Sequence, residues 1–213
     1  MKPLVKLCGM RHADNIRAAE ALGLDMMGFI FWPKSSRYVA APPAYLPKTV
    51  RRVGVFVDAS ADEVLAHVRD YGLDAVQLHG HEQPPYLAAL RAATPATTLI
   101  KAFSIASADD LAPAAAYEGY ADLFLFDSRA ALPGGNGTQF DWGVLSAYHG
   151  HTPYLLSGGI GPDDAARLTA WLGSGGAAAR LCAGIDLNSR FETAPAMKDV
   201  ALLRRFLAQL RQR

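Results

Sequence analysis

Two residues able to trade protons with a substrate, Cys8 and Asp127, each stand at the end of a short apolar run in this 213-residue chain. A free cysteine ordinarily packs as a small inert apolar group. Against Gly9, at the end of its run, the Cys8 sulfur instead lies within reach of a ligand. A carboxylate closing an apolar strand must be paired, protonated or employed, so Asp127 is either half of an ion pair with Lys6 or Lys101 or a working group. Lys6, one layer below Cys8, either satisfies a carboxylate or favours a thiolate. Gln77 and His79 stand two apart and either orient a substrate or line the mouth of its site. Two glycine-rich places offer backbone N–H groups to an anion: Ser157-Gly158-Gly159, and the segment 186–192, which contains Asp186 and Ser189. Thiol, carboxylate, amide, imidazole and anion cradle together suit a small phosphorylated sugar.

For residues so far apart in the chain to meet, the fold must bring the ends of several strands together. Eight short β-branched or aromatic runs begin near Leu4, Met26, Arg52, Ala75, Thr98, Leu123, Tyr154 and Leu181, separated by helical patterns. Ser60 with Glu63 reads as a capping box, Gly72 as the close of that helix, Ser107 with Asp110 as a similar start, and Pro162 behind Gly161 as another. Eight strand–helix units predict an α/β chain folded as a single (β/α)8 barrel of parallel strands spanning 1–213; an open sheet is the alternative. No Gly-x-Gly-x-x-Gly follows the first strand, which argues against a dinucleotide site. Alternation along the strands puts Lys6 and Cys8 on one face and Val5 and Leu7 on the other. It likewise turns Asp127 away from Phe124 and Phe126, toward the barrel axis, and gives Gln77 and His79 the inward face of the fourth strand. All lie at carboxyl ends of strands, where such barrels carry their chemistry, and the loops after strands seven and eight are where they commonly hold phosphate.

Composition narrows the field. With 21 Lys and Arg against 20 Asp and Glu, the formal charge is +1, so no basic stripe suits a nucleic acid. No apolar run is long enough for a bilayer, and two cysteines, Cys8 and Cys182, make no disulfide framework or metal spacing. A cytoplasmic enzyme without nucleic-acid or membrane partners is expected. Cys182, starting the eighth strand, belongs at the far end of the barrel from Cys8. The run Pro133-Gly134-Gly135-Asn136-Gly137 after Asp127 reads as a lid or an ordinary surface loop.

In order and spacing, Lys6-Leu7-Cys8-Gly9, Gly28-Phe29-Ile30-Phe31, Ser36-Arg37-Tyr38-Val39, Val53-Gly54-Val55-Phe56-Val57, Val76-Gln77-Leu78-His79-Gly80, Phe126-Asp127, Pro133-Gly134-Gly135 through Asp141-Trp142, and Leu156-Ser157-Gly158-Gly159-Ile160 resemble the phosphoribosylanthranilate isomerases of tryptophan biosynthesis over nearly the whole chain. The resemblance implies an Amadori rearrangement of N-(5-phosphoribosyl)anthranilate without a cofactor or metal. It implies Cys8 as general base, Asp127 as general acid, Arg37 as the holder of the anthranilate carboxylate, and phosphate in the loops after strands seven and eight. The chain would work as a monomer or homodimer. At an ordinary cysteine pKa roughly 3% of the thiol is ionised at neutral pH, so a cation such as Lys6 is expected to favour the Cys8 thiolate.

The chain departs from the family pattern at Ser189-Arg190-Phe191-Glu192, where Ser-Gly-Val-Glu is common, at Ala196 in place of glycine, and at Gly135-Asn136-Gly137. A left-handed backbone at Arg190 would strain the turn, whereas an extended guanidinium would add a phosphate contact. The competing readings are another phosphosugar isomerase, such as the two-aspartate isomerase of histidine synthesis, or a noncatalytic phosphate-binding barrel. Cys8 speaks against the first, and the presence of both Cys8 and Asp127 against the second.

Overall fold

In the computed structural model, which describes residues 3–128 and 141–211, eight parallel strands close into a barrel in chain order. They are β1 (Leu4–Leu7), β2 (Met26–Ile30), β3 (Arg51–Phe56), β4 (Ala75–Leu78), β5 (Thr98–Ile105), β6 (Leu123–Ser128), β7 (Tyr154–Ser157) and β8 (Cys182–Leu187). Pairing of β1 with β8, Lys6 opposite Asp186, closes the ring and excludes the open sheet. Among the described residues six α-helices accompany them: α1 (Ala13–Glu20), α2 (Ala61–Tyr71), α3 (Pro84–Ala93), α4 (Ala165–Leu172), α5 (Ala177–Leu181) and α6 (Val200–Arg211). A short hairpin, β9 (Glu192–Ala194) with β10 (Met197–Lys198), follows β8.

The helix ends follow local chemistry. The Ser60 side chain accepts from Glu63 N at 3.2 Å and starts α2, which Gly72 closes. Ser107 and Asp110 cap each other reciprocally, but what they start is a 3₁₀ helix, Ala108–Tyr117, rather than an α-helix. Pro113 inside it cannot donate to the helical ladder. Pro162 opens a 3₁₀ turn that runs into α4. Between β2 and β3 no helix forms; Pro33, Pro42, Pro43 and Pro47 break that crossover, and Glu20 of α1 ties it down through Tyr45, Lys48 and Thr49.

Side-chain alternation separates two cores. Outward residues such as Val5, Leu7, Phe29, Phe56, Phe124 and Phe126 pack under the surrounding helices and turns. Inward residues Met26, Val53, Ala75, Ile100, Leu123, Leu125 and Leu155 fill the barrel. Each fully buried phenylalanine contributes about 2–3 kcal/mol, so a one-residue slip that exposed Phe124 and Phe126 together would cost most of the stability of the β6 region. That cost fixes Asp127 inward. The inner packing is apolar toward the amino ends of the strands and gives way to Lys6, Gln77, Asp127 and Asp186 toward the carboxyl ends.

Candidate active site

A cavity of about 300 Å³ opens at the carboxyl ends of the strands. Cys8 just after β1, Gln77 of β4 with His79 just after it, Asp127 from β6, Ser157 ending β7 with the Gly158-Gly159 turn, and Asp186 and Ser189 from β8 and its loop all line it. Of the residues singled out as catalytic or substrate-binding in the sequence, Arg37 alone is not part of that lining. A larger groove of about 880 Å³ between α4 and α6 is open, lined by apolar residues such as Ala165 and Leu202 together with Asp163, Thr169, Arg205 and Gln209, and it assembles none of these groups.

Cys8 sits 4% exposed with its backbone N–H donating to Leu187 O at 2.8 Å. The neighbouring strand makes room for the sulfur with Gly28, where an added Cβ would lie 2.7 Å from Sγ. Beneath it, Lys6 Nζ donates to Asp186 Oδ1 at 2.9 Å, with both side chains buried. Burial raises the Cys8 pKa above its ordinary value; Lys6 and Lys198 pull it down and Asp186 pushes it up. The expected cationic lowering therefore does not prevail in the free protein. Lys6 and Lys198 do favour the thiolate and Asp186 offsets only part of their effect, but the cost of burying the charged sulfur outweighs them.

Asp127 pairs with neither lysine expected for it. Lys6 is taken by Asp186, and Lys101 lies on the outer face of β5, bonded to Glu82 at 3.0 Å and to Gly80 O at 2.6 Å. Its outward direction follows from alternation with inward Ile100 and Ala102. Asp127 instead faces His79, Nε2 to Oδ2 at 3.6 Å, and its side chain stays one third exposed at 33%, open to the cavity. Behind His79, Gln77 Nε2 approaches Nδ1 at 3.0 Å.

After β7, Gly158 and Gly159 have φ of 89° and 65°, a left-handed pair that only glycine adopts without strain, and this glycine turn lines one side of the cavity. Opposite, the exposed Ser189 and Arg190 reach the same rim. Arg190 does not have the left-handed backbone; that conformation falls on Ala196, φ 65°, fully buried in the hairpin turn. The departure from the glycine pattern is therefore strained at Ala196, while Arg190 keeps an ordinary backbone at the cavity rim.

Arg37 stands beside Cys8 rather than in the cavity wall, its chain crossing Gly9, where an added Cβ would lie 2.6 Å from Arg37 Cδ. Its guanidinium is held by Glu192, Nε to Oε1 at 2.9 Å and Nη2 to Oε2 at 2.6 Å. Glu192 also accepts from Lys198 Nζ at 2.7 Å, and Lys198 reaches Asn188 Oδ1 at 2.8 Å. Sequence reasoning missed Lys198, Asn188 and the space-making role of Gly28. Lys198 carries no motif signal, and its buried position depends on Asn15 of α1, bonded to its backbone from 183 residues away. Cys182, at the opposite end of the barrel, bonds to Gly184 O, and burial pushes its thiol up to about 12, so it is inert. The glycine-rich run 133–137, read as a lid or loop, lies outside the described residues.

Residues 5–209 match the family model described as N-(5'-phosphoribosyl)anthranilate (PRA) isomerase. The chain belongs to the phosphoribosylanthranilate isomerase family. A relative from Phocaeicola vulgatus named N-(5'-phosphoribosyl)anthranilate isomerase is 47% identical over 99% of this chain and 98% of its own. One of the same name from Parabacteroides distasonis is 40% identical over 97% and 93%. Among solved structures, the phosphoribosyl anthranilate isomerase of Thermus thermophilus superposes with a TM-score of 0.78 at 30% identity, covering 97% of this chain and 98% of that one. A phosphoribosyl anthranilate isomerase in complex with reduced 1-(o-carboxyphenylamino)-1-deoxyribulose 5-phosphate superposes at 0.77 with 26% identity, covering 98% of each chain. As a phosphoribosylanthranilate isomerase family member, the chain is an isomerase of the aldose–ketose, intramolecular oxidoreductase type. Among the described residues no helix is long and apolar enough to cross a membrane.

Proposed function

We propose that this barrel converts N-(5'-phosphoribosyl)anthranilate to 1-(o-carboxyphenylamino)-1-deoxyribulose 5-phosphate in tryptophan biosynthesis, with Asp127 as general acid and Cys8 as general base. The observation that carries this reading is the convergence of both groups on one cavity beside the glycine turn after β7. Asp127 protonates the ribose ring oxygen, the C1–O bond breaks, and the nitrogen lone pair makes an iminium at C1. Cys8 then removes the proton from C2, the electron pair moves toward nitrogen, and the resulting enol-amine becomes the ketose on reprotonation at C1. Acid and base must flank the sugar, since one group cannot serve both sides.

The raised thiol pKa of the free protein suits this order. A protonated Cys8 is what burial favours until a cation arrives, and the iminium supplies positive charge beside the sulfur at the step that needs a thiolate. Gly158, Gly159, Ser189 and Arg190 hold the phosphate. Gln77, His79 and Asp186 face the ribose, where a carboxylate suits hydroxyl donors and would repel phosphate. Arg37, aligned by Glu192, receives the anthranilate carboxylate. The reaction needs no cofactor, because the iminium is its own electron sink. Both cysteines are free thiols, in keeping with a cytoplasmic site of action.

Freshly generated N-(5'-phosphoribosyl)anthranilate tests the reading: the protein is expected to form the ketose with uptake of solvent deuterium. Saturable binding without turnover would show a noncatalytic phosphate-binding barrel instead.

A further inference from the structure

Gln77 is 1% exposed, and its Oε1 is, among the described residues, the buried side-chain oxygen or nitrogen that has no hydrogen-bond partner. Its other end is engaged: Nε2 lies 3.0 Å from His79 Nδ1. An amide nitrogen can only donate, so Nδ1 accepts and the single proton of the neutral imidazole sits on Nε2. Nε2 in turn faces Asp127 Oδ2 at 3.6 Å.

We propose that His79 is a positioning residue for Asp127: Gln77 fixes it as the Nε2–H tautomer, and its N–H steadies the carboxylate left behind when Asp127 gives its proton to the substrate. The inference rests on the general-acid reading of Asp127. It also explains why Asp127 needs no lysine. A full cation beside it would keep the carboxyl ionised and empty of the proton it has to deliver, whereas a neutral imidazole N–H stabilises the product carboxylate at a smaller cost to the resting acid. The unpartnered Oε1 belongs to the same design, since Gln77 spends its donor on His79 and keeps its acceptor for a hydroxyl of the ribose. Turning the amide over would place Oε1 against Nδ1–H and aim a bare Nε2 lone pair at Asp127, so the two arrangements have opposite signatures.

The ionisable groups that share the cavity with His79 and Asp127 are Cys8 just after β1, Asp186 of β8 and Arg190 of the following loop, with Lys6 of β1 beneath, bonded to Asp186. From β2, β3 and β7 the cavity receives Ile30, Val55 and Ser157, none of which titrates in the working range.

Long-range ¹H–¹⁵N correlation of the imidazole in the full-length protein, at slightly alkaline pH, is expected to show Nδ1 bare and Nε2 protonated. In Gln77→Leu, a substitution of similar volume, the preference should relax toward a mixture. An Nδ1–H tautomer in the parent protein overturns the inference. Kinetically, a donor that steadies the carboxylate acts at the proton-transfer step, so His79→Leu should lower kcat at least tenfold with KM for the phosphorylated substrate little changed. His79→Gln, which keeps an N–H, should restore part of kcat. A loss in His79→Leu that His79→Gln does not relieve means that His79 only packs, and overturns the inference. Failure of the general-acid reading is distinguishable: Asp127→Asn would then turn over substrate, whereas failure of this inference leaves Asp127→Asn inactive and His79→Gln no better than His79→Leu.

Discussion

Replacing Lys6 by Met should cost about 3–5 kcal/mol, a large fraction of the roughly 5–15 kcal/mol that holds a domain together. Lys6 is fully buried and Asp186 is 5% exposed, and their 2.9 Å bond is what makes a carboxylate tolerable in the barrel interior. Methionine keeps the unbranched stem and removes only the charge, so the loss is electrostatic. Asp186 is then alone with burial and with the repulsion of Asp127, both of which already push its pKa up in the parent protein. The sign of the pH dependence follows. A carboxyl whose folded pKa lies above its unfolded value of about 3.9 stabilises the fold below that value and loses the contribution as pH rises through the folded pKa. Lys6→Met should therefore approach the parent's stability in mild acid and fall furthest behind at neutral pH and above. The double variant Lys6→Met with Asp186→Leu removes both charges and should recover to within about 1 kcal/mol of the parent, a coupling of at least 2 kcal/mol. Urea unfolding of the four proteins across pH measures this. A single-variant cost under about 1 kcal/mol, or a double variant as unstable as the sum of the singles, would refute the description of a mutually dependent buried pair.

Gly28→Ala should cost about 1–3 kcal/mol in urea unfolding and lower turnover at least tenfold with little change in phosphate affinity, because the new Cβ would lie 2.7 Å from Sγ and 3.1 Å from Cα of Cys8. At Gly159 a Cβ meets nothing within 4 Å, so Gly159→Ala should lose only the left-handed backbone cost of about 1–2 kcal/mol, while KM rises for the phosphorylated substrate as the methyl enters the cradle. Against burial, which would raise it, the bonds from Tyr45, Thr49 and Lys48 hold Glu20 down at about 2. Thermal unfolding should accordingly show stability lost as pH falls from about 4.3 through about 2, a dependence that Glu20→Gln removes at a cost of about 1 kcal/mol at neutral pH.

The strands were legible because each short apolar run is bounded by turn residues, and a barrel strand has to be short and apolar; all eight begin within a residue of where the sequence puts them. Asp127 was legible for a related reason, since two phenylalanines on the other face leave it one direction. Its partner was not. Alternation alone sends Lys101 outward, yet the attraction of a lysine for a carboxylate masks that, and the closing register of β1 on β8, which gives Lys6 to Asp186, is a property of the whole ring. The cation expected to act on Cys8 is there in Lys6, but a short motif does not display how deeply the sulfur is buried, and burial outweighs the cation. Of the two readings open for Arg190, the strained one does not hold: the left-handed backbone falls on Ala196, in a hairpin whose Glu192 and Lys198 side chains reach back to Arg37 and Asn188.

The decisive measurement is steady-state turnover of N-(5'-phosphoribosyl)anthranilate by Cys8→Ser and Asp127→Asn, with folding of each checked by urea unfolding. Each variant should lose about 10²–10⁴ in kcat while unfolding at nearly the parent's midpoint. A variant at either position that stays folded and keeps turnover within tenfold of the parent would contradict the assignment of base and acid to this cavity.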